Sequence, residues 1–171
     1  SLSDKLDTLV GFFGLNLKPS SSKDPYALRR SAIGMLRMIL ENNKSLKLRE
    51  LINYSCQLYN EQNVNFSSNE ISNQLLDFFK DRFKNFLKEK NIRNDIIESS
   101  TINYNIDNIL KVYKKIIIKN KLITKETGKN ILFSYKRASN IIFNELKNSK
   151  IELTGLPDTG LFRHDSEKKL Y

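Results

Sequence analysis

The stretch Asp24-Pro25-Tyr26-Ala27-Leu28-Arg29-Arg30-Ser31-Ala32-Ile33-Gly34-Met35-Leu36-Arg37-Met38-Ile39-Leu40 decides the fold class. Asp24-Pro25 reads as a helix start, because an aspartate accepts from free amides and a proline costs no hydrogen bond in the first turn. Leu28, Ala32, Met35, Leu36 and Ile39 then recur at helical spacing, so one face is buried and the helix runs to about Asn42. A second face carries Arg30, Gly34 and Arg37.

The same period extends in both directions. Upstream, Leu2, Leu6, Leu9, Val10 and Phe13 predict a helix ending near Gly14, and residues 18–23 read as loop. Downstream, Leu48, Leu51, Ile52, Ser55 and Leu58 mark a helix over 46–59, and the Asn- and Ser-rich residues 60–68 read as a linker. Asn69 is placed to cap the longest helix, with Ile71, Leu75, Phe78, Phe79, Phe83 and Phe86 as a wide apolar stripe and Lys80, Lys84 and Lys88 on its other side. Residues 95–99 read as a short helical turn. Ile106, Ile109, Leu110, Tyr113 and Ile117 predict the next helix, with Lys111, Lys114, Lys115 and Lys119 facing away. Thr124 reads as the cap of a last long helix that turns Gly128, Ile131, Leu132, Tyr135, Ala138, Ile142 and Leu146 inward. The pattern lapses from Ile151: residues 154–160 read as loop, and Leu161-Phe162, Glu167, Leu170 and Tyr171 as the start of a further helix. No stretch alternates with a period of two, so the expected fold is all-α, a helical bundle.

Composition sets the class of partner. Hydrophobic residues at 39% and charged residues at 28% of 171 describe a globular chain. No apolar run approaches the roughly 20 residues of a membrane span, so no membrane partner is expected. The single cysteine, Cys56, fits a reducing, cytoplasmic setting. The absence of an initial Met suggests a fragment. The net charge is +10, concentrated in residues 69–150 with 17 basic against 9 acidic side chains. Such a balance favours an anionic partner, a nucleic acid backbone first among them. Part of the lysine excess accompanies a general richness in Asn, Ile and Lys, which an A/T-rich coding sequence also produces.

Catalytic constellations are missing. One histidine, His164, and one cysteine in separate segments make neither a zinc site nor a Cys–His pair, and the scattered glycines form no phosphate loop. Asp4 and Asp7 share a helix face near an N-terminus, where the dipole accounts for two solvated carboxylates. The binding candidates are Arg29, Arg30, Arg37, Lys136 and Arg137, since arginine grips phosphate bidentately. Arg29 and Arg30 also fit internal pairing, Gly34 fits close helix packing, and the Lys80, Lys84, Lys88 stripe fits a solvated face.

Four ordered motifs carry a resemblance. They are Ser3-Asp4-Lys5-Leu6-Asp7-Thr8-Leu9-Val10-Gly11-Phe12-Phe13; Lys23-Asp24-Pro25-Tyr26-Ala27-Leu28-Arg29-Arg30, followed by Ser31-Ala32 and Gly34; Lys136-Arg137-Ala138-Ser139-Asn140-Ile141; and Leu161-Phe162 with Glu167-Lys168-Lys169-Leu170. Together they resemble the β subunit of bacterial glycyl-tRNA synthetase of the two-subunit type. The resemblance implies that residues 1–59 close an HD-like helical domain, that 60–150 form a basic helical body, and that 151–171 lead toward a C-terminal anticodon-binding domain. It puts Asp4 where true HD hydrolases keep a metal-ligand Asp, here a remnant without partners and no metal site. It implies a cytoplasmic enzyme that joins glycine to its tRNA with ATP and Mg2+, both used in the α subunit and no cofactor in this fragment. The β subunit's share is tRNA recognition and scaffolding, with the α subunit and glycine tRNA as partners. This fragment alone is expected to be inactive. The alternatives are a remnant of an HD-type metal phosphohydrolase and a helical protein-interaction module.

Overall fold

A computed structural model describes residues 1–20, 22–103, 106–148 and 157–170. Every regular element among the described residues is helical: α1 (Leu2–Gly14), α2 (Leu28–Glu41), α3 (Leu48–Glu61), α4 (Ser68–Glu89), α5 (Asn94–Asn103), α6 (Ile109–Thr124), α7 (Glu126–Asn148), a single 3-10 turn (Thr159–Leu161) and α8 (Asp165–Leu170). They form two compact units, residues 1–125 and 126–171.

In the first unit α4 is the spine. It packs on α1, α2, α3 and α5, while α6 lies on α2 and α5. Leu75, Phe79 and Phe83 of the predicted stripe, joined by Leu87, are fully buried on α4, as are Leu9, Leu28, Met35, Leu36, Ile39, Leu48 and Ile52 on the helices it packs against. Each such side chain contributes about 1.5–3 kcal/mol of hydrophobic free energy. α1 and α2 approach closely where Gly34 lacks a Cβ, since an added one would meet the aliphatic chain of Lys5 at 3.0 Å. At the end of α1 the absent side chain of Gly14 makes room for the ring of Phe66.

Several helix starts differ from the sequence expectation, each for a local reason. α2 begins at Leu28, and Pro25 lies in the turn before it. Asp24 does cap, but from farther back: its two carboxylate oxygens accept from the amides of Leu28 (2.8 Å) and Arg29 (3.0 Å). Ala27 bridges the gap in the left-handed conformation, φ 53°, and Tyr26 rests on Phe12 with ring centroids 4.3 Å apart. α4 starts one residue before Asn69, after Ser67, whose side chain makes no capping bond. α7, at 23 residues, is one longer than α4. α5 is a full helix because Ile96, Ile97, Ser100 and Thr101 are all buried. α6 is capped by Asn108, which accepts from the Lys111 amide at 3.0 Å. Thr124 closes α6 instead of opening α7, its hydroxyl donating back to the carbonyls of Asn120 and Lys121. Leu58, expected inside, is exposed, and Cys56 takes the buried position on α3.

α7 departs most. Of its expected inward face, Gly128 is buried, but Ile131, Tyr135, Ile142 and Leu146 are exposed, as are Phe133 and Phe143. Within its unit the described residues add one 3-10 turn and the six-residue α8, too little to cover a stripe of that length. The expected helix near the end is α8, where the Glu167 carboxylate accepts from the amides of Arg163 (2.7 Å) and His164 (2.8 Å). The expectations on Ile151, on 154–156 and on Tyr171 lie outside the described residues.

Candidate functional site

The expected binding residues fall in both units, Arg29, Arg30 and Arg37 on α2 of the first and Lys136 and Arg137 on α7 of the second. Arg29 is half-buried at the start of α2, and its guanidinium donates to the carbonyl of Ser20, tying the preceding loop to the helix. Arg30 is exposed one residue on. Arg37, also exposed, borders a groove of about 540 Å³ with Leu40, Glu41, Phe86, Glu89, Lys90 and Tyr113. Two carboxylates there share the groove with two cations, and Lys90 sits 5.7 Å from the Phe86 ring centre. Lys136 and Arg137 are exposed on α7 in the second unit.

Asp4 and Asp7 are exposed along α1 and edge an apolar groove with Leu2, Leu6, Leu51, Tyr54 and Leu58. Among the described residues no three His, Cys, Asp or Glu side chains come together as a metal site. The Cys56 thiol is buried, and burial pushes its pKa up, which keeps it a packing group instead of a nucleophile.

The lysines divide into two surfaces of different character. Along α4, Lys84 pairs with Glu98 of α5 at 2.7 Å. That hydrogen bond, with further pull from Lys88 and Lys80, holds the Glu98 carboxyl below the usual glutamate range. Asp77 and Asp81 each precede a lysine of this stripe by three residues, the spacing of neighbours on a helix surface. The α4 stripe is therefore a mixed, largely self-compensated face.

α6 is different. Residues 108–125 hold six lysines and no carboxylate. Val112, Ile116 and Ile123 face the core, while Lys111, Lys114, Lys115 and Lys121 are exposed on the opposite side together with Ile118 and Leu122. Lys119 leans inward and donates to Ser99 Oγ of α5 at 2.7 Å. Of the lysines expected to face away, Lys111, Lys114 and Lys115 do so and Lys119 does not; Lys121 joins them, and the missing signal is the lack of any acidic residue between them.

The described helices include none long and apolar enough to cross a membrane. A family model described as "Glycyl-tRNA synthetase beta subunit" matches residues 1–101. The chain is also 40% identical over 172 residues to the glycine–tRNA ligase beta subunit of Rickettsia africae (strain ESF-5), covering 100% of this chain and 23% of that protein. It is 30% identical over 171 residues to the glycine–tRNA ligase beta subunit of Clostridioides difficile (strain 630), again covering 100% of this chain and 23% of the relative. The chain thus spans about a quarter of the length of these curated relatives. With the model matching more than half of its residues, the chain belongs to the glycyl-tRNA synthetase beta subunit family.

Proposed function

We propose that this chain is a non-catalytic, tRNA-binding and scaffolding portion of a glycine–tRNA ligase β subunit, acting in the cytoplasm beside an α subunit that carries out the chemistry. The observation that carries this reading is the family match over residues 1–101. The net charge of +10 supports it, since cations release counterions from a phosphate backbone. ATP and Mg2+ belong, in this proposal, to the α subunit, where glycine is activated. Residues 1–59 are read as the end of an HD-like domain used as scaffold, 60–150 as a body along the tRNA, and 151–171 as the lead into an anticodon-binding module. Contacts to such a body rest on shape and phosphates more than on base edges. Arg29, Arg30, Arg37, Lys136 and Arg137 are proposed contributors, with Lys136 and Arg137, an adjacent exposed pair, the two to test first.

In the complete two-subunit enzyme, Lys136→Ala combined with Arg137→Ala is expected to weaken tRNA binding and to leave ATP-dependent glycine activation intact. Loss of activation at unchanged tRNA affinity would reverse the assignment. The uncovered apolar side chains of α7 favour a second reading, a helical protein-interaction module. That reading gains if the complete enzyme binds tRNA through this segment with no dependence on salt, or not at all.

A further inference from the structure

We infer that the solvent-facing side of α6 is a binding surface for an RNA phosphate backbone, with Lys111, Lys114 and Lys121 as its contacting cations. The inference rests on the tRNA-binding reading above and assigns that binding to a helix outside the candidates Arg29, Arg30, Arg37, Lys136 and Arg137.

Charge compensation separates α6 from every other lysine-bearing helix of the first unit. On α4 the cations have carboxylates within a turn, Asp77 and Asp81, and Glu98 across the α4–α5 contact. Arg93 is paired with Asp95 at 2.7 Å, and Lys47 with Glu50 at 2.5 Å. Along α6 no carboxylate intervenes from residue 108 to residue 125. A helix built this way repels itself unless salt or a polyanion neutralises it. The cost is accepted over four turns, on a face whose opposite side is firmly held by Ile109, Leu110, Val112, Ile116 and Ile123.

Geometry suits an extended polyanion better than a point ligand. Lys111 and Lys121 are ten residues apart, about 15 Å along the helix axis. Their long stems let the ammonium groups follow a backbone path. Asn108 and Ser45 fix the start of the helix, the Asn108 amide donating to Ser45 Oγ at 2.8 Å. Lys119, bonded to Ser99, fixes α6 against α5. The cations therefore project from a rigid rod. Ile118 and Leu122 sit among them, exposed, where they give the partner's sugar faces an apolar contact.

The test uses the full chain and purified bacterial tRNA, with affinity measured across a salt series. The triple variant Lys111→Ala, Lys114→Ala, Lys121→Ala keeps the helix, because alanine is the better helix former. It is expected to bind at least about tenfold more weakly near 0.1 M salt, and to flatten the slope of log K against log salt by about two. Lys80→Ala with Lys88→Ala, the same kind of charge removal on the compensated α4 face, is expected to stay within about twofold of the unaltered chain. If the unaltered chain binds tRNA and the α6 variant binds equally well, the inference falls while the tRNA-binding reading stands. If the α4 variant loses as much as the α6 variant, the effect is one of total charge and the assignment to α6 falls. If the unaltered chain shows no salt-dependent binding, the reading beneath the inference falls with it.

Discussion

At the last residue of α1, Gly14 faces the ring of Phe66, which is itself nearly buried. A ring has no flexible end to swing aside, so a methyl group placed there must displace the segment that leads into α4. Gly14→Ala is expected to lower unfolding stability by about 1–3 kcal/mol, an overpacking cost, read as a drop in the urea midpoint at unchanged slope. Gly34 is the contrasting case. Its neighbour is the stem of Lys5, which can move, so the same change there costs less. Both glycines stand in or beside the motifs that resemble the family, and both are explained by packing alone. Arg29 tells a similar story: its guanidinium is engaged with the Ser20 carbonyl, so one of the most recognisable residues of the chain serves the loop as well as any partner.

Between elements, the α4–α5 contact carries a titratable link. The Glu98 carboxyl is held below its ordinary range by the Lys84 hydrogen bond, helped by Lys88 and Lys80. A depressed carboxylate favours the folded state above its unfolded pKa, and that contribution disappears as pH falls through the folded value. Glu98→Gln is therefore expected to lower the urea midpoint slightly near neutral pH. The gap to the unaltered chain should close on acidification below the glutamate range; a gap that widens instead would contradict the pairing. The effect is small because both side chains meet solvent. Periodicity made the buried stripes of α2 and α4 legible, because a packed helix face leaves a 3.6-residue record whatever covers it. Helix starts were less legible. Asp24 reaches amides four and five residues ahead, Thr124 turns its hydroxyl back into its own helix, and α5 needs neighbours to bury its short run. An apolar stripe also says nothing about who covers it, which is why the face of α7 reads as inward and stands exposed.

For the molecule as a whole, family membership came from motifs, and the cationic surface from charge arithmetic along one helix. The first is legible because contiguous residues carry it. The second was masked by lysines spread through the chain; only the placement of carboxylates around α4, and their absence from residues 108–125, separates the two faces. The whole chain, given glycine, ATP and tRNA without an α subunit, is expected to form no glycyl-tRNA. Measurable glycylation in a charging assay would overturn the division of labour proposed above.

One contact also orders events during synthesis. The Leu48 amide donates to the carbonyl of Asp107 at 2.9 Å, and the Asp107 carboxylate accepts from the Arg49 amide at 2.7 Å across a separation of 58 residues. Two of the orphan amides at the head of α3 are thus satisfied by the segment that introduces α6. A nascent chain has α1 to α4 outside the ribosome well before residue 107 arrives, and over that interval those amides face water. The first unit therefore completes itself late, by closing a long loop, although most of its helices are local and quick to form. The Leu48 and Arg49 amides are its natural clock: their protection in pulsed hydrogen exchange marks the moment at which the end of the unit has found its middle.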